Sequence, residues 1–240
     1  GSLQTADLQQ FLDRLDLSPA SRKHYRITLT TLFSHAKKRG FLPRDRQTEA
    51  EHLDAIKLPS APVLIYSPGD LASALAHATG EAQLAVAVGA FAGIRSAEIL
   101  KLDWQDIGPE YITVGADRAK TAQRRLVPIL PPLAAFLTLH RRGKGPVFNS
   151  ANDTMFSAML SGAFRSAGVD PIANGLRHSF CTYRLADIQN AAQVSLEAGN
   201  SPNVLFKHYR ELATREQASA WFAVRPAAQG KKVLPFSAAA

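Results

Sequence analysis

Apolar residues recur three and four places apart from the start of the chain. In TADLQQFLDRL (5–15), Leu8, Phe11, Leu12 and Leu15 fall on one face and predict a helix. A second helix is predicted from Ser18 or Ser21, both good caps, to about Arg39, with Gly40 as its stop. Tyr25, Leu29, Leu32, Phe33 and Ala36 form its apolar stripe, and Lys23, Arg26, Thr30, Ser34 and Lys37 lie on an adjacent face. Residues 43–66 lose periodicity and carry Pro43, Pro59 and Pro62, which reads as a linker with a domain boundary near residue 62. SPGDL (67–71) then opens a new helix, with Ser67 as cap and Pro68 at the first helical position.

Helical spacing continues over 68–78 and 81–101. Around 102–130 the period shortens. YITV (111–114) and RLVPI (125–129) are short strand-like runs joined by the polar GADRAKTAQR. Helices are predicted again at about 131–141, 152–167, 175–187, 190–198, 202–209 and 213–223. The fold class is therefore mainly α with a small antiparallel β-sheet. A helical domain (1–62, linker from about 43) precedes a larger one (63–240). Helical pattern begins almost at once after Gly1 and Ser2, so the first domain is expected to be truncated.

Of the 240 residues 46% are hydrophobic, enough for a real core, so wholesale disorder is excluded. The formal net charge of +8 points to an anionic partner, with nucleic acid the first candidate and simple solubility the plain alternative. The charge is unevenly placed: between Asp16 and Asp45 there are seven Lys and Arg and no acid. Lys23, Arg26 and Lys37 on the second helix are the candidate phosphate contacts. Cys181 is the single cysteine, which rules out an internal disulfide and a cysteine-based zinc site and fits a reducing compartment. No apolar run approaches the ~20 residues of a membrane span, and no signal-peptide pattern opens the chain.

Four stretches carry candidate chemistry. AGIRSAEILKLDWQDI holds Arg95 and, a turn later, Glu98. RAKTAQRRLVPI puts Lys120 at the hairpin tip. NGLRHSF holds Asn174, Arg177 and His178, and EAGNSPNVLFKHYREL holds Asn200, His208 and Tyr209. Each residue alone also fits a structural role. Arg95 and Glu98 make an ordinary ion pair at i, i+3 spacing. Lys120 is a solvated turn lysine. Asn174 is a helix N-cap, Asn200 fills a turn after the helix-stopping Gly199, and Tyr209 is a core aromatic.

In this order the four stretches resemble the tyrosine recombinase (phage integrase) family. GIRSAEILKLDWQDI is similar to its first arginine motif, NGLRHSF to its His-x-Leu-Arg-His motif, and GNSPNVLFKHY to its Gly-His…Tyr motif. The resemblance is close over 67–223 and looser over 5–42, which looks like part of a helical core-binding domain. It implies an integrase-like catalytic domain with a three-stranded sheet, and a two-domain clamp around double-stranded DNA. It also implies Tyr209 as nucleophile, forming a 3′-phosphotyrosine without metal or cofactor. Arg95 and Arg177 would clamp the phosphate, Lys120 would protonate the leaving 5′-oxygen, and Glu98 would orient Arg95. His178 would pack beside the motif or bond to backbone. The family usually has histidine where Asn174 stands, and histidine or tryptophan where Asn200 stands; an asparagine can donate to a phosphate oxygen but cannot usefully take a proton.

The reading is a cytoplasmic, nucleoid-associated site-specific recombinase with no membrane partner. Its alternatives are a recombinase-derived DNA-binding protein with weak or lost cleavage, and a type IB topoisomerase-like nicking and closing enzyme. TREQASAWFAVRP ends the periodic sequence with Trp221, Phe222 and Val224. They are expected to be exposed and to serve self-assembly, as a tetramer on paired DNA sites, with docking on their own domain as the alternative.

Overall fold

The structure is a computed structural model that describes residues 3–58, 62–115, 124–201, 203, 205 and 213–227. The chain divides into two compact units, Gly1–Pro62 and Val63–Ala240.

In the first unit, α1 (Thr5–Arg14) and α2 (Pro19–Lys38) pack with a 3-10 turn at Glu49–His52. Ser18 Oγ accepts from the Ser21 N–H and Pro19 takes the first helical position, so α2 starts where the caps predict. Leu8, Leu12, Ala50 and Leu53 form the core, with Leu15, Leu29 and Phe33 against it. Residues 48–53 are thus not linker. Thr48 and Glu51 close a capping box, and the Glu49 carboxylate accepts from the Thr5 backbone N–H, which ties the turn to the start of α1. The expected stripe of α2 is also narrower than predicted. Leu29 and Phe33 pack inward, while Tyr25 and Leu32 are 44% and 58% exposed.

The second unit is built around α4 (Gly80–Ala92), in which every residue from Leu84 to Ala92 is buried. Packed on it are α3 (Pro68–His77), α6 (Pro131–His140), α7 (Asp153–Ser166) and α8 (Gly175–Ile188). A helix that is apolar all round needs a partner on every side, and α4 has one. The helix predicted over 81–101 is broken. Gly93 takes a left-handed conformation (φ +60°) and ends α4; a short α5 (Ser96–Ile99) follows, with Arg95 as its N-cap residue. An added Cβ at Gly93 would lie 2.2 Å from the Phe180 ring, so only glycine fits this turn.

Strands β1 (Tyr111–Val114) and β2 (Arg125–Pro128) pair antiparallel, Tyr111 opposite Pro128 and Val114 opposite Arg125. Among the described residues the sheet has these two strands rather than three. Helix α9 (Ala191–Ala198) ends at Gly199, also left-handed (φ +66°). The final described helix, α10 (Arg215–Ala223), corrects the expectation of exposed aromatics. Trp221 is fully buried in its own unit, stacks on Tyr183 at 4.6 Å and donates its indole N–H to the Ala90 carbonyl at 3.0 Å, while Phe222 packs against the same core. Among the described residues no helix is long and apolar enough to cross a membrane.

Candidate active site

The break after α4 does two things. It frees the Gly93 carbonyl from the helix, and it turns Arg95 toward α8 and the end of α9. Arg177, on the first turn of α8, reaches the same place from the other side. Its Nη1 donates to the Gly93 carbonyl at 2.6 Å and its Nη2 to Asn200 Oδ1 at 2.6 Å. Arg95 Nη2 donates to the Gly199 carbonyl at 2.7 Å and lies 3.5 Å from Asn200 Oδ1. The two arginines predicted from separate motifs therefore meet, with the Asn200 side-chain oxygen between them.

A cleft of about 490 Å³ opens here, lined by Arg95, Ser157, Asn174, Arg177, His178 and Asn200 among others. A more apolar pocket of about 330 Å³ adjoins it, sharing Arg95, Asn174 and Arg177 and walled by Tyr66, Phe164 and Leu176.

Glu98 stands beneath the cleft, 2% exposed, and bonds Arg95 twice: Oε1 accepts from Arg95 Nη1 at 3.1 Å and Oε2 from its backbone N–H at 3.2 Å. Sequence reasoning missed the second cation on this carboxylate. Arg125, on β2, donates Nη2 to Oε2 at 2.5 Å and Nη1 to Oε1 at 3.3 Å. Burial pulls the Glu98 carboxyl upward; the hydrogen bonds and charge of Arg125, joined by Arg95, outweigh it and leave the carboxyl below its ordinary value.

Two guanidiniums thus hold one carboxylate and a third, Arg177, stands nearby without one, so positive charge is in excess. Burial, and then the charges of Arg95 and Arg125, bring the Arg177 guanidinium down to about 10, against the favourable pull of Glu98. It remains a cation at neutral pH. The Cys181 thiol, raised by burial to about 11, stays protonated, and its sulfur lies 3.8 Å from Asn200 Nδ2.

Asn174 is not the side-chain cap that its position suggested. It adopts a left-handed conformation (φ +55°), one of the few non-glycine types that does so readily, and its side chain makes no capping bond. Only its carbonyl serves the helix, accepting from the His178 N–H at 2.9 Å. The amide is left exposed at the cleft wall. Lys120, His208 and Tyr209 lie outside the described residues. In the first unit Lys23 is exposed and Lys37 half-buried, whereas Arg26 donates Nε and Nη2 to the Leu53 carbonyl at 3.3 and 2.9 Å. No group of three or more His, Cys, Asp or Glu arranged to hold a metal occurs among the described residues.

No family model and no curated protein matches the chain. Solved structures do. A lambda integrase dimer bound to a COC′ core site is 17% identical with a TM-score of 0.70, covering 89% of this chain and 82% of its own. The XerH site-specific recombinase bound to a palindromic difH substrate is 20% identical with a TM-score of 0.64, over 92% and 73%. The integrase of mycobacterium phage Brujita is 19% identical with a TM-score of 0.53, over 94% and 79%. The chain has the tyrosine recombinase fold.

Proposed function

We propose that this chain cuts and rejoins duplex DNA by tyrosine-type strand transfer. One observation carries the reading: Arg95 and Arg177, 82 positions apart in sequence, converge on one atom, Asn200 Oδ1, in an open cleft with excess positive charge. Two forked donors at one point match the non-bridging oxygens of a phosphodiester. The DNA carried by the lambda integrase and XerH structures supports the same partner for this chain.

In this mechanism the Tyr209 phenolate oxygen attacks the scissile phosphorus. The bond to the 5′-oxygen breaks, Lys120 supplies that oxygen with a proton, and a 3′-phosphotyrosine remains. Attack by a 5′-hydroxyl from a second duplex reverses the step and exchanges strands. Arg95 and Arg177 hold the negative charge of the pentacoordinate phosphorus, aided by the exposed Asn174 amide. Lys23 and Lys37 contact the DNA backbone; Arg26, tied to the Leu53 carbonyl, contributes less. Four copies assemble on paired sites. With Trp221 buried in its own unit, that residue is not the contact between copies.

One observation favours the alternative of a DNA-binding protein that no longer cleaves: Asn200 Oδ1 occupies both guanidiniums at the point where a phosphate oxygen would sit. The experiment that separates the two uses a pool of nicked duplexes with randomised arms. Wild type should leave a covalent protein–DNA band on denaturing gels, and Tyr209→Phe should bind DNA but leave none. An adduct that survives in Tyr209→Phe removes Tyr209 from the mechanism. An adduct formed by Asn174→His, Asn200→His but never by wild type establishes the binding protein.

A further inference from the structure

Arg125 sits where three segments of the site meet. It is on β2, five residues after Lys120 in sequence. Its two Nη groups span both oxygens of Glu98, and its Nε donates to the Glu197 carbonyl at 3.2 Å. Its guanidinium also lies flat beneath the turn after α9, where a Cβ added at Gly199 would come within 3.2 Å of it. The carbonyl of that same Gly199 holds Arg95. The Arg125 side chain is 10% exposed, so it is itself withdrawn from the cleft.

We propose that Arg125 is the positioning residue of the phosphate clamp: it neutralises Glu98, so that Arg95 keeps its charge and its place on the Gly199 carbonyl when phosphate arrives. The inference rests on the reading of Arg95 and Arg177 as that clamp. The physical reason is the position of Glu98. A carboxylate buried this deeply demands a counter-charge. Arg125 meets the demand from below with a fork-to-fork pair, and Arg95 shares only one Nη and its backbone N–H. Without Arg125 the carboxylate has one cation left. Arg95 would swing from the Gly199 carbonyl into a closed two-bond pair with Glu98, and the clamp would lose one of its two charges.

A purely structural role, pinning β2 to α9, makes a different prediction. Loss of Arg125 would then be harmful whatever stands at 98. In the charge argument, removing the Glu98 charge restores the clamp, because Arg95 no longer has a carboxylate to collapse onto.

The probe is inorganic phosphate, followed by NMR at the side-chain Nε–Hε signals of Arg95 and Arg177, assigned with Arg95→Lys and Arg177→Lys. In wild type both signals should move saturably. In Arg125→Gln the phosphate affinity should fall about tenfold, the scale of one charge lost in a part-buried site. Glu98→Gln, Arg125→Gln should regain most of it. Arg125→Lys keeps the charge without the fork and covers the case in which the Gln variant does not fold; it should retain most of the binding. Wild-type affinity in Arg125→Gln, a double variant as weak as the single, or a folded Arg125→Lys without binding would each overturn the proposal. If phosphate moves neither signal in wild type, the clamp reading itself fails and the inference falls with it, a result distinct from any seen only in the variants.

Discussion

Arg125 and Arg177 are both buried arginines of one site, yet their replacement by methionine should have unequal effects on stability. Arg177 has no carboxylate partner. Its donors meet the Gly93 carbonyl and the Asn200 amide oxygen, both neutral. The gap between about 10 and the ordinary 12.5 means that the fold disfavours the charged form by roughly 3 kcal/mol relative to water. Since this guanidinium is lowered in the fold, its charge opposes folding at neutral pH, and the penalty is relieved only as pH rises past about 10. Arg177→Met removes that penalty. Against it stands the Gly93 carbonyl left unpaired, at about 1–3 kcal/mol. The two terms nearly cancel. Arg125→Met has no such offset. It strands Glu98 with Arg95 alone, and breaking a buried pair costs about 3–5 kcal/mol, here nearer the lower end because one partner stays.

For a unit of this size each kcal/mol moves the melting temperature by about 2–4 °C. Arg125→Met should therefore melt about 6–12 °C below wild type, and Arg177→Met within about 4 °C of it. Calorimetry at neutral pH, without DNA, reads both. An Arg177→Met chain that loses as much as Arg125→Met would refute the reasoning. It would mean that hydrogen-bond count, not missing counter-charge, governs these two positions.

Three further outcomes follow from the geometry. Gly93→Ala should cost about 2–4 kcal/mol, since it adds a clash with Phe180 to a left-handed backbone; a chemical denaturation midpoint equal to wild type would contradict the fit described for this turn. Asn174→Ala should slow single-turnover cleavage about 10- to 100-fold while lowering the melting temperature by only about 2–8 °C, the cost of alanine in a left-handed backbone and not of a lost cap; Asn174→His should retain cleavage and acquire an acid limb near neutrality that the amide lacks. The stability difference between wild type and Glu98→Gln should be full above the ordinary carboxylate range and shrink as pH falls below it, the sign expected for a carboxyl lowered by folding; a difference that persists unchanged into acid would exclude Glu98 ionisation as its source.

Much of the helical layout was legible because it rests on local signals. Ser18, Ser67 and Gly40 mark boundaries through side-chain or backbone geometry that needs no tertiary partner. What failed depended on contacts from elsewhere. Gly89 and Gly93 look alike in an apolar run, and only the second ends the helix; the Phe180 ring packed against Gly93 comes from a segment far along the chain. The turn at 48–53 falls in a stretch that reads as linker because of its polarity and the flanking Pro43 and Pro59, although its Thr48…Glu51 capping box and the apolar Ala50 and Leu53 are present to be read. Arg125 was also within reach. In a strand the faces alternate, and RLV offers either Leu126 or the pair Arg125 and Val127 to the interior. Hydrophobicity alone does not decide between Leu126 and Val127. The fold chose the face of Arg125 and Val127, leaving Leu126 54% exposed, because Glu98 was waiting there for a cation.

The same backbone features that end the helices also explain how the site keeps its charge. A carboxylate is the usual anchor for a buried arginine, but it would cancel the charge that a phosphate needs. Here the outer anchors are the carbonyls of Gly93 and Gly199, the left-handed residues that close α4 and α9, and Glu98, already paired with Arg125, takes only one Nη of Arg95. Carbonyls at a helix C-terminus lack intrahelical partners and carry the negative end of the helix dipole. They hold Arg177 and Arg95 in direction with about half a charge at most, so each guanidinium is fixed yet still cationic. Of the three guanidiniums only Arg125, the one withdrawn from the cleft, is given fully to a carboxylate. The two glycines do what no side chain could: they turn the chain sharply enough to aim a main-chain acceptor into the cleft, and their lack of a Cβ lets Phe180 and Arg125 close behind it.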